Sequence, residues 1–101
     1  MHNVYNTKMI KSFKNRETEE LYKDEFSKKF PQAILQRAFR KLEILDSVTS
    51  EQELRAVPGN HYEKLSGERR GQSSIKINDQ YRICFIWSDG NAYEVEITDY
   101  H

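Results

Sequence analysis

Ser74-Ile75-Lys76-Ile77-Asn78-Asp79-Gln80-Tyr81-Arg82-Ile83-Cys84-Phe85-Ile86-Trp87 is the stretch on which the fold turns. Ile75 and Ile77 alternate with polar neighbours, and after a polar break Tyr81, Ile83, Phe85 and Trp87 alternate again. A period of two puts each set on one face of a pleated strand. Tyr93, Val95 and Ile97 repeat the pattern downstream. Asn78-Asp79 and Asp89-Gly90 separate the three segments at hairpin distance, and both pairs tolerate the positive φ of tight hairpin turns. The spacing predicts an antiparallel meander.

Upstream the code is helical. Tyr22, Phe26 and Phe30 recur every four residues and predict one helix with a buried stripe, ended where Pro31 biases Phe30 away from helical angles. Ile34, Leu35, Ala38, Leu42 and Leu45 mark a second helix with Pro31 in its first turn. Ser50 and Glu53 have the capping-box spacing for a brief helical turn, which Pro58-Gly59-Asn60 breaks. Met9-Ile10-Lys11-Ser12-Phe13 alternates like a short strand, whereas residues 1–8 are unpatterned. The expectation is an α+β fold, an N-terminal helical hairpin packed on a mainly antiparallel sheet of about four strands. An N-terminal extension at 1–8 precedes one domain at 9–101, and the second face of the sheet stays open for function.

The chain has 101 residues, so it holds one modest core. Sixteen basic and sixteen acidic side chains cancel, which argues against binding nucleic acid through net charge alone. Their distribution is uneven: Arg55 to Arg82 carries six Lys or Arg against three acids, and Ile83 to His101 carries four acids and no Lys or Arg. The single cysteine, Cys84, has no internal disulfide partner, sits among apolar residues and reads as a small buried hydrophobe. No apolar run is long enough for a membrane span, and a reducing cytoplasm is the expected location.

The sequence has no Cys or His cluster with metal-ligand spacing, no glycine-rich phosphate loop and no serine elbow, so neither metal nor cofactor is implied. What remains is the basic stretch from Lys64 to Arg82 and the closing Asp99-Tyr100-His101. Cleaving RNA without a metal needs a base for the 2′-OH proton, an acid for the 5′-oxygen and cations for the crowded phosphorane. Histidine serves in either direction near neutrality, which singles out His101. Each candidate has a plainer reading. A terminal His101 frays in solvent, Tyr100 caps the core with its ring, and Asp99 ends a strand as a turn residue. Arg82 alternates with Tyr81 and Ile83 and so points to the open face, as a phosphate ligand or as a solvated, ion-paired side chain. Arg69 and Arg70, between Gly67 and Gly71, suit a phosphate backbone or solvent alike, and His61 reads as an exposed turn residue. The chemistry permits a ribonuclease without demanding one.

Gly59-Asn60, Glu63-Lys64-Leu65-Ser66-Gly67, Arg70-Gly71-Gln72 and Ser74 through Phe85, with Met9 to Phe13 and Asp99-Tyr100-His101, resemble the HigB toxins of the RelE superfamily from Met9 to the end. The resemblance implies a RelE-like fold whose sheet receives messenger RNA in the ribosomal A site. It also implies metal-independent attack of the 2′-OH on the adjacent phosphate, leaving a 2′,3′-cyclic phosphate and a 5′-OH. Arg82 matches the family's phosphate-stabilising arginine, and Asp99, Tyr100 and His101 match its functional end: His101 as acid or base, Tyr100 as stacking or relay group, Asp99 as orienting residue. The chain departs from the family where Glu63 stands in place of a strand histidine and Ser66 in place of a lysine. Glu63 is then an alternative base, and Lys64 and Arg70 supply charge. Arg69, Lys76 and Asn78 complete the expected RNA contacts. The implied partners are a HigA-like helix-turn-helix antitoxin, the ribosome with its messenger RNA, and operator DNA through the antitoxin only, with no membrane. The rival readings are a ParE-like gyrase poison and a catalytically weak module that binds the antitoxin in transcriptional control.

Overall fold

Three helices precede four strands in the computed structural model, which describes residues 8–99. The helices are α1 (Arg16–Asp24), α2 (Gln32–Ser47) and α3 (Glu51–Ala56), and the strands are β1 (Glu63–Lys64), β2 (Ser73–Lys76), β3 (Tyr81–Ser88) and β4 (Asn91–Asp99). Every neighbouring strand pair is antiparallel, in the order β1-β2-β3-β4. The α+β architecture and the meander are as the sequence predicts, with β1 as the addition. Its two exposed polar residues carry no hydrophobic pattern, and pairing with β2 alone makes them a strand.

Ile75, Ile83, Phe85, Val95 and Ile97 turn to one face of the sheet and are at most 6% exposed. Ile34, Leu35, Ala38, Leu42 and Leu45 of α2 cover them, with Leu21 of α1 and Leu54 of α3. Burying each of the Leu, Ile, Val and Phe side chains among them contributes about 1.5–3 kcal/mol relative to exposure. The helical hairpin is therefore held by its apolar stripe. The capping pair closes at α3 with one shift: Ser50 Oγ accepts from Glu53 N at 3.3 Å, and Glu53 Oε1 reaches past the N-cap to accept from Thr49 N at 2.6 Å.

Four local expectations are corrected. Helix α1 stops at Asp24 because Glu25 takes a left-handed conformation (φ 58°), so Phe26 falls outside the helix and is 52% exposed, while Thr18 and Leu21 supply the buried stripe. The segment at 9–13 makes no ladder; it touches the outer edge of β4 at two isolated parallel bridges, Ile10 with Ala92 and Phe13 with Val95. The turn at Asn78-Asp79 has no positive φ. Instead Asn78 Oδ1 accepts from Gln80 N at 2.9 Å and Tyr81 N at 2.7 Å, a side-chain-built turn. Asp89 and Gly90 do take positive φ, 52° and 79°.

The fourth correction lies in β4. Cys84 pairs with Glu96 but Ile86 pairs with Tyr93, so Glu94 and Val95 oppose Phe85 alone, a β-bulge with Glu94 at φ 52°. The extra residue reverses the alternation. Ala92 faces the core and Tyr93 faces outward beside Ile86, both about a third exposed, whereas the period-two reading set Tyr93 with Val95 and Ile97. Ser12 locks the bulge: its Oγ accepts from Glu94 N at 2.9 Å and its carbonyl accepts from Val95 N at 3.1 Å.

Candidate active site on the open face of the sheet

Arg82, on the middle of the sheet opposite Lys76 of β2 and Thr98 of β4, faces away from the helices. Its side chain is only 13% exposed because the strand neighbours grip it. Nε donates to Ser74 Oγ at 2.7 Å, and Nη2 donates to the carbonyl of His61. Glu63, the partner of Ser74 on β1, places Oε1 3.8 Å from Arg82 Nε, which is Coulombic contact rather than a hydrogen bond. The guanidinium is thus fixed in plane by neutral acceptors, and the carboxylate beside it, half exposed, is loosely held.

Arg82, Glu63, His61, Lys76, Asn78 and Asp79 line one cleft of about 280 Å³. Lys76 pairs with Asp79 at 3.0 Å, and that lysine holds the Asp79 carboxyl below its ordinary value. The cleft therefore combines two cations, two carboxylates and an imidazole. Its wall is rigid where it meets Asn60, a fully buried residue bonded on all sides. Asn60 Oδ1 accepts from Lys41 Nζ at 2.6 Å, its Nδ2 donates to the Leu54 carbonyl at 3.0 Å, and its own carbonyl accepts from Lys76 N at 2.6 Å. Burial lowers the Lys41 ammonium from its ordinary range, with the nearby Arg37 adding to it.

Further along the open face the character changes. The turn Gly67–Arg69 folds back so that Arg69 Nη1 donates to Glu96 Oε2 at 3.2 Å and to Gln72 Oε1 at 3.0 Å, and Lys14 Nζ lies 3.6 Å from the same carboxylate. Arg69, read in the sequence as part of a flexible basic loop, is pinned to β4. Beneath it Cys84 is fully buried, and burial pushes its thiol up, the Thr98 hydroxyl beside it pulling the other way. Beyond lies the exposed pair Ile86 and Tyr93.

The residues singled out in the sequence are brought together only in part. Arg82, Glu63, Lys76 and Asn78 share the cleft. Lys64, next to Glu63 on the strand, turns toward Glu51 of α3 on the helical side, and Arg70 is exposed beyond the turn. Asp99 pairs with Tyr81 rather than Arg82, so it faces the helical side, where its Oδ2 accepts from Gln80 Nε2 at 3.1 Å. Tyr100 and His101 lie outside the described residues. His61, read in the sequence as an exposed turn residue, is exposed and also lines the cleft, and Asp79 is the other lining residue that the sequence reading did not assign to the site. No local signal places His61 there: it stands before β1 with φ 43°, so strand alternation does not relate it to Glu63.

Residues 11–101 match the model of a family described as the RelE-like toxin of type II toxin–antitoxin system HigB. The chain is similar to Toxin HigB-1 of Vibrio cholerae serotype O1, with 44% identity over 85 residues, 83% of this chain and 90% of that protein. It is similar to Endoribonuclease HigB of Proteus vulgaris at 33% identity over 94 residues, covering 92% of this chain and 100% of that one. Among solved structures, the YoeB dimer from Staphylococcus aureus matches with a TM-score of 0.56 and 16% identity over 92% of this chain and 98% of that one, a likeness of fold.

Proposed function

Since this chain belongs to the HigB family of RelE-like toxins of type II toxin–antitoxin systems, we propose that it is an endoribonuclease that cleaves messenger RNA in the ribosomal A site. The observation that carries the reading is the fixed guanidinium of Arg82 in a cleft with Glu63, His61 and Lys76, in a chain whose Proteus vulgaris relative is named an endoribonuclease. A phosphate entering the cleft meets Arg82 and Lys76 as charge donors already in place. Preorganised donors of this kind stabilise a phosphorane more than its ground state. A base in the cleft takes the 2′-OH proton, the O2′–P bond forms, the P–O5′ bond breaks, and an acid protonates the departing 5′-oxygen. The products are a 2′,3′-cyclic phosphate and a 5′-OH, with side-chain charge in the place of a metal. Glu63 is a candidate base, and His101 the candidate acid, with Tyr100 stacking on a base and Asp99 orienting the chain end. The exposed Tyr93 and Ile86 add a flat surface for unpaired bases.

In this reading the cell counterpart is a HigA-like helix-turn-helix antitoxin that silences the toxin and carries the complex to operator DNA, all in the cytoplasm. The balanced net charge suits a toxin that relies on the ribosome to orient its substrate. Primer extension on a translated reporter messenger RNA tests the proposal, with purified protein, with Arg82→Ala, and with ribosomes omitted. New 5′ ends inside A-site codons, absent from both controls, are the expected result. No cleavage by folded wild-type protein would sink the ribonuclease and favour an inert antitoxin-binding module.

A further inference from the structure

We infer that His61 is a catalytic proton-transfer residue of this toxin, acting beside Glu63 and Arg82 in one cleft. The inference rests on the ribonuclease reading and assigns that site its base. Three observations carry it. His61, exposed at the surface, lines the same cleft as Arg82, Glu63 and Lys76. Its carbonyl accepts from the Arg82 guanidinium, so the His61 backbone is tied directly to the cation of the cleft. Its backbone sits at φ 43°, a left-handed conformation that a side-chain-bearing residue seldom adopts.

That conformation is imposed by its neighbour. Asn60 is locked between Lys41, Leu54, Val57 and Lys76, so the chain leaves the buried anchor in a set direction and His61 must turn to meet β1. Strain held by an over-determined anchor is a recurrent mark of functional positions. Among the side-chain types in the cleft, imidazole is the one whose proton exchanges readily near neutral pH. Glu63 and Arg82 already form a contact pair, and Lys76 is paired with Asp79, whereas the described structure gives the imidazole no hydrogen bond or ion pair. The step is then a transfer of the 2′-hydroxyl proton to an imidazole nitrogen of His61 as O2′ bonds to phosphorus. The P–O5′ bond breaks, the 5′-oxygen takes a proton from water, and the imidazolium returns its proton to solvent. Glu63 acts on the imidazole as an orienting or charge-stabilising neighbour.

Two substitutions keep the local backbone. His61→Asn retains the left-handed conformation at little cost, and His61→Gly retains it while opening space for a small molecule. Both leave the main-chain carbonyl that holds Arg82. They are compared with wild type in the ribosome-bound cleavage assay, with ribosome binding measured by co-sedimentation. The expected result is wild-type cleavage, a loss of about 100-fold or more in cleavage rate in both variants with binding retained, and partial recovery of His61→Gly on adding imidazole. Cleavage by both variants within about threefold of wild type overturns the role of His61 and leaves the ribonuclease standing. Lost cleavage with no response to imidazole in His61→Gly and lost ribosome binding assigns His61 to docking instead and also overturns it. Absence of cleavage by wild type removes the reading on which the inference rests, and the inference with it.

Discussion

Arg82 illustrates how strand neighbours can hold a charge in one orientation. Ser74 and the His61 carbonyl accept from the guanidinium, and the Glu63 carboxylate lies 3.8 Å from Nε. Lysine cannot reproduce this, because its ammonium is a point charge without the planar fork that reaches two acceptors at once. Arg82→Lys should therefore keep the net charge and the fold yet lower ribosome-dependent cleavage by about 100-fold, in line with the removal of one preorganised donor. Single-turnover cleavage beside a circular dichroism spectrum checks it; a lysine variant as fast as wild type would reduce Arg82 to a charge carrier. The identity of Arg82 was legible in the sequence, as was its exposure to the open face. Its shell was not, since Ser74 and His61 lie 8 and 21 residues away along the chain.

At the scale of elements, α1 shows periodicity overruled by a terminus. Tyr22, Phe26 and Phe30 have helical spacing, but Glu25 in the left-handed region ends the helix before the second of them. The residue that matters for packing is Leu21, fully buried against α2 and β4. Leu21→Ala should lower unfolding free energy by about 2–5 kcal/mol, whereas Phe26→Ser should change it by about half a kcal/mol or less. Urea denaturation of the two variants decides between the stripes; equal losses would restore the longer helix. In β4 the bulge at Glu94 is the comparable event. One inserted residue exchanges the faces of Ala92 and Tyr93 and presents an aromatic ring to the open side. Glu94 is polar and gives no local hint of a bulge, and its conformation is selected by Ser12 from the far end of the chain.

The molecule as a whole concentrates raised acids under its surfaces. Burial lifts the Cys84 thiol above its ordinary 9.0 and Tyr62 above 10.0, and burial with the Asp46 carboxylate lifts Tyr22 in the same direction. A raised acid stays protonated in the fold where the unfolded chain would release its proton, so its contribution is complete below the unfolded value and is lost as pH rises through the folded one. Stability should thus hold to about pH 9.0 and decline above it. Lys41 acts in the opposite sense, because its lowered ammonium favours the fold increasingly as pH approaches 10.5. Comparing Cys84→Ala with wild type by urea denaturation across this range isolates the thiol: the variant should begin to lose stability only near the tyrosine value of 10.0. Identical alkaline profiles would show that the thiol does not report burial. Glu51 joins the same logic at Tyr62, whose hydroxyl donates to the Glu51 carboxylate and accepts from Ser73 Oγ.

The sequence alone determined the class of fold, the helical hairpin, the three long strand segments, the capping box at Ser50 and Glu53, and the basic, open-faced position of Arg82. These are readable because hydrophobic period and turn chemistry act over a few residues, and burial of a one-sided pattern leaves few arrangements. Tertiary structure alone decided that His61 joins Arg82 and Glu63 in one cleft, that Arg69 is spent on Glu96, that Lys64 and Asp99 turn to the helical side, and that β4 bulges at Glu94. Each of these follows from register and from hydrogen bonds between segments distant along the chain, and a one-residue change of register moves a side chain to the other face while leaving every local pattern as it was.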